Sequence, residues 1–242
     1  MTLQFIIVFG LSIADVFKKY EVVDLSHILE EGMPRPQVPY GHIVWKSHLR
    51  GDRFNTFMIL VFEHAGTHVD APIHLGGVDG PSIAEVPLDR WMGHCCVLDM
   101  KWKGEEAFVS VIDIERWEAV HGPIEEGDVV LFNFGWQERW KVPSGVEDQP
   151  FLRDNPGLSG EAALYLAERK VKLVGADTPT IDSHADPEEH AHKVLLPRHI
   201  LILESAANLD MLPPKGAFLT AFPLKIGGGT GSPVRAVAFV PR

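Results

Sequence analysis

Residues 56–75 read TFMILVFEHAGTHVDAPIHL, an apolar run followed by three histidines and an aspartate. The first eight residues are rich in aromatic and branched side chains, which predicts a buried β-strand. Gly66 and the proline that follows disfavour a continuous helix after this strand, so we expect a strand that turns into a loop. In extended backbone His68 and Asp70 point to the same side, and the flexible Gly66 lets the chain bring His64 to the same point.

His64, His68, Asp70 and His74 all lie within eleven residues. Twelve histidines in the chain could produce a surface cluster by chance, but imidazole nitrogen beside carboxylate oxygen is a donor set that suits zinc or manganese better than calcium or magnesium. A divalent ion of this kind acidifies water and polarises a carbonyl group, and a neighbouring histidine can move the proton. The spacing therefore predicts metal-dependent hydrolysis of an amide or lactone bond, with His74 as the proton-transfer group.

Outside this stretch, helical and strand patterns alternate along the chain. No segment is rich enough in Gly, Ser or Pro to divide it, so we predict a single mixed α/β domain. We predict strands over residues 22–25, 43–48, 129–134, 172–176, 200–204, 217–221 and 234–240, and helices over 111–120 and 159–170.

Composition narrows the classes of partner and the compartment. The 242 residues include 33 acidic and 22 Lys or Arg side chains, a net charge of −11, which disfavours nucleic acid and anionic membranes as partners. Cys95 and Cys96 are neighbours and cannot staple distant segments, so a reducing compartment, the cytoplasm, is expected. The apolar run 3–13 is too short to span a bilayer; we treat residues 1–20 as an N-terminal extension, with a signal peptide as the alternative.

The residues HAGTHVDAPIH, 64–74, resemble the HxGTHxDxPxH signature of the cyclase-like metal-dependent hydrolase family, which includes bacterial kynurenine formamidase, isatin hydrolase and trans-dienelactone hydrolase. The resemblance extends to VDLSH at 23–27, to GADTPTID at 175–182, and to His192 and Glu204, which are twelve residues apart. It covers roughly residues 21–242. It implies a swivelling β/β/α fold.

The resemblance also implies residue roles. His64, His68 and Asp70 would bind a first ion, and Asp70 would bridge to a second ion held by His192 and Glu204. His74 would be the catalytic acid/base. His190 competes with His192 on sequence alone, and only His192 keeps the family interval to Glu204. Zinc is the favoured metal and manganese the alternative.

N-formylkynurenine is the leading substrate that the resemblance implies, which would make the chain an arylformamidase of tryptophan catabolism. Isatin-type lactams and lactones are the alternative within the family. A non-catalytic metal-binding protein is the alternative from another class. We expect a small-molecule substrate and a homodimer or larger homo-oligomer.

Two further features carry weaker expectations. The loop 227–233, GGGTGSP, lacks the lysine of a phosphate loop and is predicted as a tight active-site or hairpin loop. Five aromatic residues are candidates either for the wall of a substrate pocket or for the core. They are Trp45, Phe57, Trp91, Phe132 and Trp136.

Overall fold

The computed structural model describes Ala14 and residues 17–35, 38–76, 80–142 and 149–242. These residues contain thirteen strands and four α-helices. The strands are β1 (Tyr20–Asp24), β2 (Gly41–Lys46), β3 (Thr56–Leu60), β4 (His68–Asp70), β5 (Met92–Asp99), β6 (Phe108–Val109), β7 (Val129–Asn133), β8 (Gly157–Leu158), β9 (Leu173–Ala176), β10 (Leu201–Glu204), β11 (Lys215–Thr220), β12 (Gly231–Pro233) and β13 (Val237–Pro241). The helices are α1 (Ile73–Gly76), α2 (Val111–His121), α3 (Gly160–Glu168) and α4 (His190–Leu195).

Nine strands form one mixed sheet in the order β1-β13-β11-β5-β7-β9-β10-β4-β12. The four central strands β5, β7, β9 and β10 run parallel, and α2, α3 and α4 lie along the chain between successive pairs of them. Parallel neighbours need such crossovers, which is why helical and strand patterns alternate in this part of the sequence. The predicted mixed α/β architecture is confirmed.

Side chains along the central strands point alternately to the two faces of the sheet, so the hydrophobic core has two parts. Val130 and Phe132 of β7 pack with apolar side chains of α2, α3 and α4, whereas Val129 and Leu131 face a second cluster. That second cluster includes residues of β1, β4, β11 and β13, which belong to the outer parts of the same sheet. The sheet therefore curls over its own face, and the layers are sheet, sheet and helix.

Helix α2 begins as predicted. Ser110 and Asp113 form a reciprocal capping box, in which the Ser110 backbone N–H donates to the Asp113 carboxylate over 2.8 Å. Ser159 caps α3 by accepting a hydrogen bond from the Ala162 N–H. Both predicted helices end within two residues of their expected positions.

The prediction of a buried strand over 56–63 is wrong. The strand is present as β3, but it ends at Leu60 and pairs only with β2, in a two-stranded ribbon apart from the large sheet. Phe57 is 44% exposed and Ile59 66%. A branched, aromatic composition favours strand geometry in either setting and does not specify which sheet the strand joins.

The five aromatic candidates also divide. Trp91, Phe132 and Trp136 are buried in the core, while Trp45 and Phe57 are exposed on the ribbon. The apolar run 3–13 lies outside the described residues. Among the residues that the structure does describe, no helix is long and apolar enough to cross a membrane.

Candidate active site

Strand β4 carries His68 and Asp70, and it lies between β10 and β12. Antiparallel pairing sets Glu204 of β10 directly opposite His68, and Ile202 opposite Asp70. Because residues two apart on a strand share a face, His68, Asp70 and Glu204 project from neighbouring positions on one side of the sheet. The sheet register therefore assembles two carboxylates and an imidazole, each at most 5% exposed.

Helix α4 adds His192 to this group. The His192 Nε2 atom lies 3.5 Å from Asp70 Oδ2 and 3.3 Å from Glu204 Oε1. His68 Nε2 approaches the other oxygen of each carboxylate, at 3.7 Å from Asp70 Oδ1 and 3.2 Å from Glu204 Oε2. The competing histidine, His190, is exposed and pairs with Asp186 on the surface. The structure thus brings His192, and not His190, to Glu204.

His64 reaches the cluster through the turn at Gly66, whose φ of +63° is a conformation that favours glycine. Its Nδ1 atom lies 2.7 Å from Asp70 Oδ1. His74, on α1, is only partly exposed, and its ring stacks on that of His64 with centroids 4.1 Å apart. All six side chains predicted from the sequence are therefore in one place, with His74 at the edge.

A hydrogen bond on the outer ring nitrogen orients each inner histidine. His68 Nδ1 donates to the Gly66 carbonyl over 2.8 Å, and His192 Nδ1 bonds to Asp182. His64 Nε2 lies 2.9 Å from Thr230 Oγ1. The remaining nitrogen of each ring therefore points inward, towards Asp70 and Glu204. Partners of this kind fix ring orientation and tautomer at metal sites.

The donor set fits a divalent cation. Asp70 is fully buried, and its Oδ2 atom has no hydrogen-bond partner among the described residues. A buried carboxylate oxygen without a partner is costly unless positive charge compensates it. Two sets of three ligand atoms that share Asp70 each lie within 4.8 Å of one another: His64, Asp70 and His74, and His68, Asp70 and Glu204. Mixed nitrogen and oxygen ligands of this type suit zinc or manganese.

The pKa shifts show the same demand for positive charge. Burial alone would lower the pKa of His68, but its hydrogen bond to Glu204 and the negative charge of Asp70 raise it to about 9. Against the same opposing effect of burial, its bond to Asp182 and the nearby carboxylates of Asp70 and Glu204 raise the pKa of His192 well above its usual value. Burial acts against Asp70 as well, yet its histidine neighbours hold its pKa well below the usual range. The centre stabilises cations against the cost of burial.

His74 differs from the inner histidines. Partial burial lowers the pKa of His74, the negative charge of Asp70 opposes this effect, and the neighbouring imidazoles of His64 and His192 add to it. The neutral ring is therefore favoured at neutral pH. A neutral imidazole at the rim of a cationic centre is suited to accept a proton.

A pocket of about 310 Å³ opens over His64 and His68. Its walls are largely apolar and include Pro34, Phe151, Leu152 and Pro179. That volume is at the small end of the range for ligand sites, which suggests a substrate about the size of one or two fused rings.

The sequence did not identify several contributors. Phe151 was not among the candidate aromatics. Thr230 lies in the loop 227–233, which is predicted as either an active-site loop or a hairpin loop, and Asp182 ends the GADTPTID segment. No local pattern indicates a contact for either residue. Their roles depend on contacts with His64 and His192, which are 166 and 10 residues away along the chain.

Known proteins with similar sequences and folds place this site in a family. The sequence profile described as "Putative cyclase" matches residues 23–183. An isatin hydrolase of Roseibium aggregatum is 33% identical over 92% of each chain, and a kynurenine formamidase of Erythrobacter litoralis is 30% identical over 88% of this chain and 91% of its own. A crystal structure of an isatin hydrolase bound to the product analogue thioisatinate superposes with a TM-score of 0.84, at 30% identity and with 94% and 95% of the two chains covered. The chain therefore belongs to this cyclase family of metal-dependent hydrolases.

Proposed function

We propose that this chain hydrolyses the C–N bond of a small aryl amide at a metal centre held by His64, His68 and Asp70. Asp70 also faces His192 and Glu204, which would hold a second ion. The observation that carries the proposal is the convergence of three inward-facing imidazoles on two buried carboxylates, beneath an apolar pocket. Zinc is the first metal to test and manganese the second.

A bound divalent ion would supply Lewis acidity and lower the pKa of water towards neutrality. His74 stacks on His64, which lines the pocket, and from there a neutral imidazole can take a proton from the attacking water. The same ring, once protonated, can return that proton to the departing nitrogen. The largely apolar walls around Phe151 limit access of bulk water and offer a surface for an aromatic ring.

N-formylkynurenine and isatin share the bond that this site would cleave. In each, a carbonyl carbon is joined to a nitrogen on a benzene ring that carries a second carbonyl beside it. The family resemblance implies the open-chain formamide as the leading substrate, and the kynurenine formamidase relative supports it. The lactam is a second candidate because the isatin hydrolase relative has the higher identity of the two.

The test combines metal content with turnover. Purified protein is analysed for metal and assayed with N-formylkynurenine and isatin, before chelation, after chelation, and after zinc or manganese is restored. We expect bound metal, turnover of one of the two substrates, loss on chelation and recovery on restoration. Bound metal without turnover of either would favour the non-catalytic alternative, and absence of bound metal would contradict the proposal.

We also propose that two copies of the chain associate through the arm, defined as the β2–β3 ribbon at residues 41–60. Ile43 pairs with Met58, and the adjacent Val44 pairs with Phe57. Since neighbouring residues on a strand face opposite ways, the ribbon is apolar on both faces. A two-stranded ribbon is marginally stable by itself, and apolar side chains on both of its faces favour a covering partner.

The area and the charge of the arm both favour a second copy as that partner. The seven exposed large apolar side chains on strands β2 and β3 are about half exposed on average, and at about 200 Å² each they offer about 700 Å². A standard interface buries about 800 Å² per partner. The arm carries Lys46, Arg50 and Arg53 against a single acidic residue, Asp52, whereas the whole chain has a net charge of −11. The cationic arm complements the acidic body of another copy.

Sedimentation of Ile59→Asp, with Val120→Asp as control, tests this association. Val120 is 76% exposed on α2, so its replacement adds the same charge away from the arm. We expect a dimer for the wild type and the control, and a monomer for Ile59→Asp at micromolar concentration. A monomeric wild type would contradict the proposal.

We further propose a cytoplasmic location. Cys95 and Cys96 are both free and buried, and burial raises the pKa of Cys95 to about 12, which suits thiols that remain reduced. Localisation of a tagged full-length chain tests this.

A further inference from the structure

Glu63 and Thr230 form a short hydrogen-bond chain behind His64. Thr230 donates its hydroxyl to Glu63 Oε2 over 2.7 Å and its backbone N–H to the same oxygen over 3.0 Å. Its Oγ1 atom also lies 2.9 Å from His64 Nε2.

The donor and the acceptor in each of these hydrogen bonds can be identified by counting hydrogens. A threonine hydroxyl has one hydrogen, and here it is directed at the Glu63 carboxylate, which accepts only. Towards His64 the same hydroxyl can therefore only accept, so the proton between the two groups belongs to His64 Nε2. The other ring nitrogen, Nδ1, faces Asp70 Oδ1 at 2.7 Å.

We propose that Glu63 and Thr230 are positioning residues that keep the His64 proton on Nε2, so that Nδ1 is the atom that binds the metal ion. This inference rests on the proposed function. Without the acceptor, the competing tautomer places the proton on Nδ1, where it donates to Asp70. That hydrogen bond occupies both groups and opposes metal binding.

The surrounding backbone supports this arrangement. Thr230 is anchored because its carbonyl accepts the Ala71 N–H over 2.9 Å, directly beside the metal-binding strand. Gly231 packs against the imidazole so closely that an added Cβ would lie 2.5 Å from His64 Cε1. Glycine here lets the strand backbone lie against the ring. The glycine-rich loop thus brings the threonine hydroxyl to the ring nitrogen.

The test compares Thr230→Val, which keeps the shape and removes the hydroxyl, with Thr230→Ser, which restores it. Zinc affinity is measured by competition with a chromogenic chelator. We expect affinity to fall about 10–100-fold in Thr230→Val and to remain within about threefold of wild type in Thr230→Ser. Thr220→Val is the matched control, since Thr220 lies on β11 and bonds to the Val237 carbonyl.

A second measurement reports the ring nitrogens directly. In long-range ¹H–¹⁵N spectra of the zinc-loaded wild type, His64 should carry its proton on Nε2 and the metal on Nδ1. Glu63→Gln, an independent variant, should also weaken zinc binding. The inference is overturned if His64 carries its proton on Nδ1, or if Thr230→Val and Glu63→Gln bind zinc as the wild type does. If the wild type binds no zinc, the proposed function is overturned together with this inference. If the wild type binds zinc and the variants bind it equally well, only this inference is overturned.

Discussion

Asp182 holds His192 both by its ring and by its backbone. One carboxylate oxygen bonds to His192 Nδ1 and accepts the His192 backbone N–H over 3.3 Å, and the other accepts the Ala191 N–H over 2.6 Å. Asp182 is 1% exposed, so these bonds are formed away from solvent. They orient His192 Nε2 towards Asp70 and Glu204 before any ion arrives. The His192 side of the centre is therefore preorganised by a residue that does not itself face the cluster.

Asp182→Asn should weaken metal binding about 10–100-fold. An amide nitrogen opposite His192 Nδ1 no longer keeps the ring proton on Nδ1, so the lone pair on Nε2 is no longer held free for the metal ion. Asp186→Asn is the control, since Asp186 forms a similar pair with the exposed His190. Chelator competition measures both. Equal losses in the two variants would show that the effect is not specific to the centre.

Removal of the metal should destabilise the fold. An ion present at 100 times its Kd stabilises the folded state by about 2.7 kcal/mol. For a chain of 242 residues this corresponds to a fall in Tm of about 5–10 °C on chelation. Calorimetry with and without chelator measures the change, and added zinc should reverse it. A Tm that does not respond to either treatment would argue against ligands at Asp70 and Glu204.

His74→Gln should separate catalysis from metal binding. Since general acid–base catalysis contributes about 10²–10⁴-fold, we expect kcat to fall by that factor while metal content stays within a few-fold of wild type. His190→Gln removes another exposed imidazole from the chain and should leave kcat unchanged. Loss of metal from His74→Gln would instead make His74 a ligand.

The local part of the site could be predicted from the sequence because short-range geometry determines it. His68 and Asp70 are two residues apart on a strand, and Gly66 provides the turn that returns His64. The alternation of helix and strand is predicted where α2 precedes β7 and where α3 precedes β9, because helices and strands differ in the period of their apolar residues. Strand β5 and helix α4 are not among the predicted elements. Helix α2 starts at the predicted residue, where Ser110 and Asp113 cap it.

The distant parts were not readable in the same way. His192 and Glu204 were identified only through the family interval. Strand β10 lies beside β4 because of the order of strands in the sheet, which a local sequence pattern does not reveal. Thr230 needed the pairing of β12 with β4, which no local pattern encodes. The exposure of β3 was mispredicted because an apolar strand is equally compatible with a core and with an interface between copies.

Gly231→Ala should disrupt the site through His64. The new Cβ would lie 2.5 Å from Cε1 of the ring, so the ring or β12 must move, at a cost of about 1–3 kcal/mol. Gly227→Ala, in the same loop, meets no atom within 4 Å and is the control. The free energy of chemical unfolding and the zinc affinity should both fall in Gly231→Ala, and neither should change in Gly227→Ala. Normal zinc affinity in Gly231→Ala would mean that the ring tolerates displacement.

His27 should contribute to the loss of stability in acid. Its ring stacks on Trp140 with centroids 4.0 Å apart, and its Nε2 atom is buried without a hydrogen-bond partner among the described residues. Burial lowers the pKa of His27 to about 4, from 6.5 in the unfolded chain. Between these values the unfolded chain binds the proton and the folded chain does not. The contribution of His27 is therefore fully present above pH 6.5 and is lost as the pH falls towards 4, by about 3 kcal/mol at most.

His27→Phe keeps an aromatic ring against Trp140 and removes the titrating group. The free energy of unfolding of the metal-free protein, measured by denaturant titration between pH 4 and 7, should fall less steeply in this variant than in the wild type. His94→Phe is the control because it replaces an exposed imidazole that contacts Phe218. If the wild type and His27→Phe lose stability in parallel over this range, His27 is protonated in the folded chain, and its ring is more accessible to water than its contacts with Trp140 and Phe151 indicate.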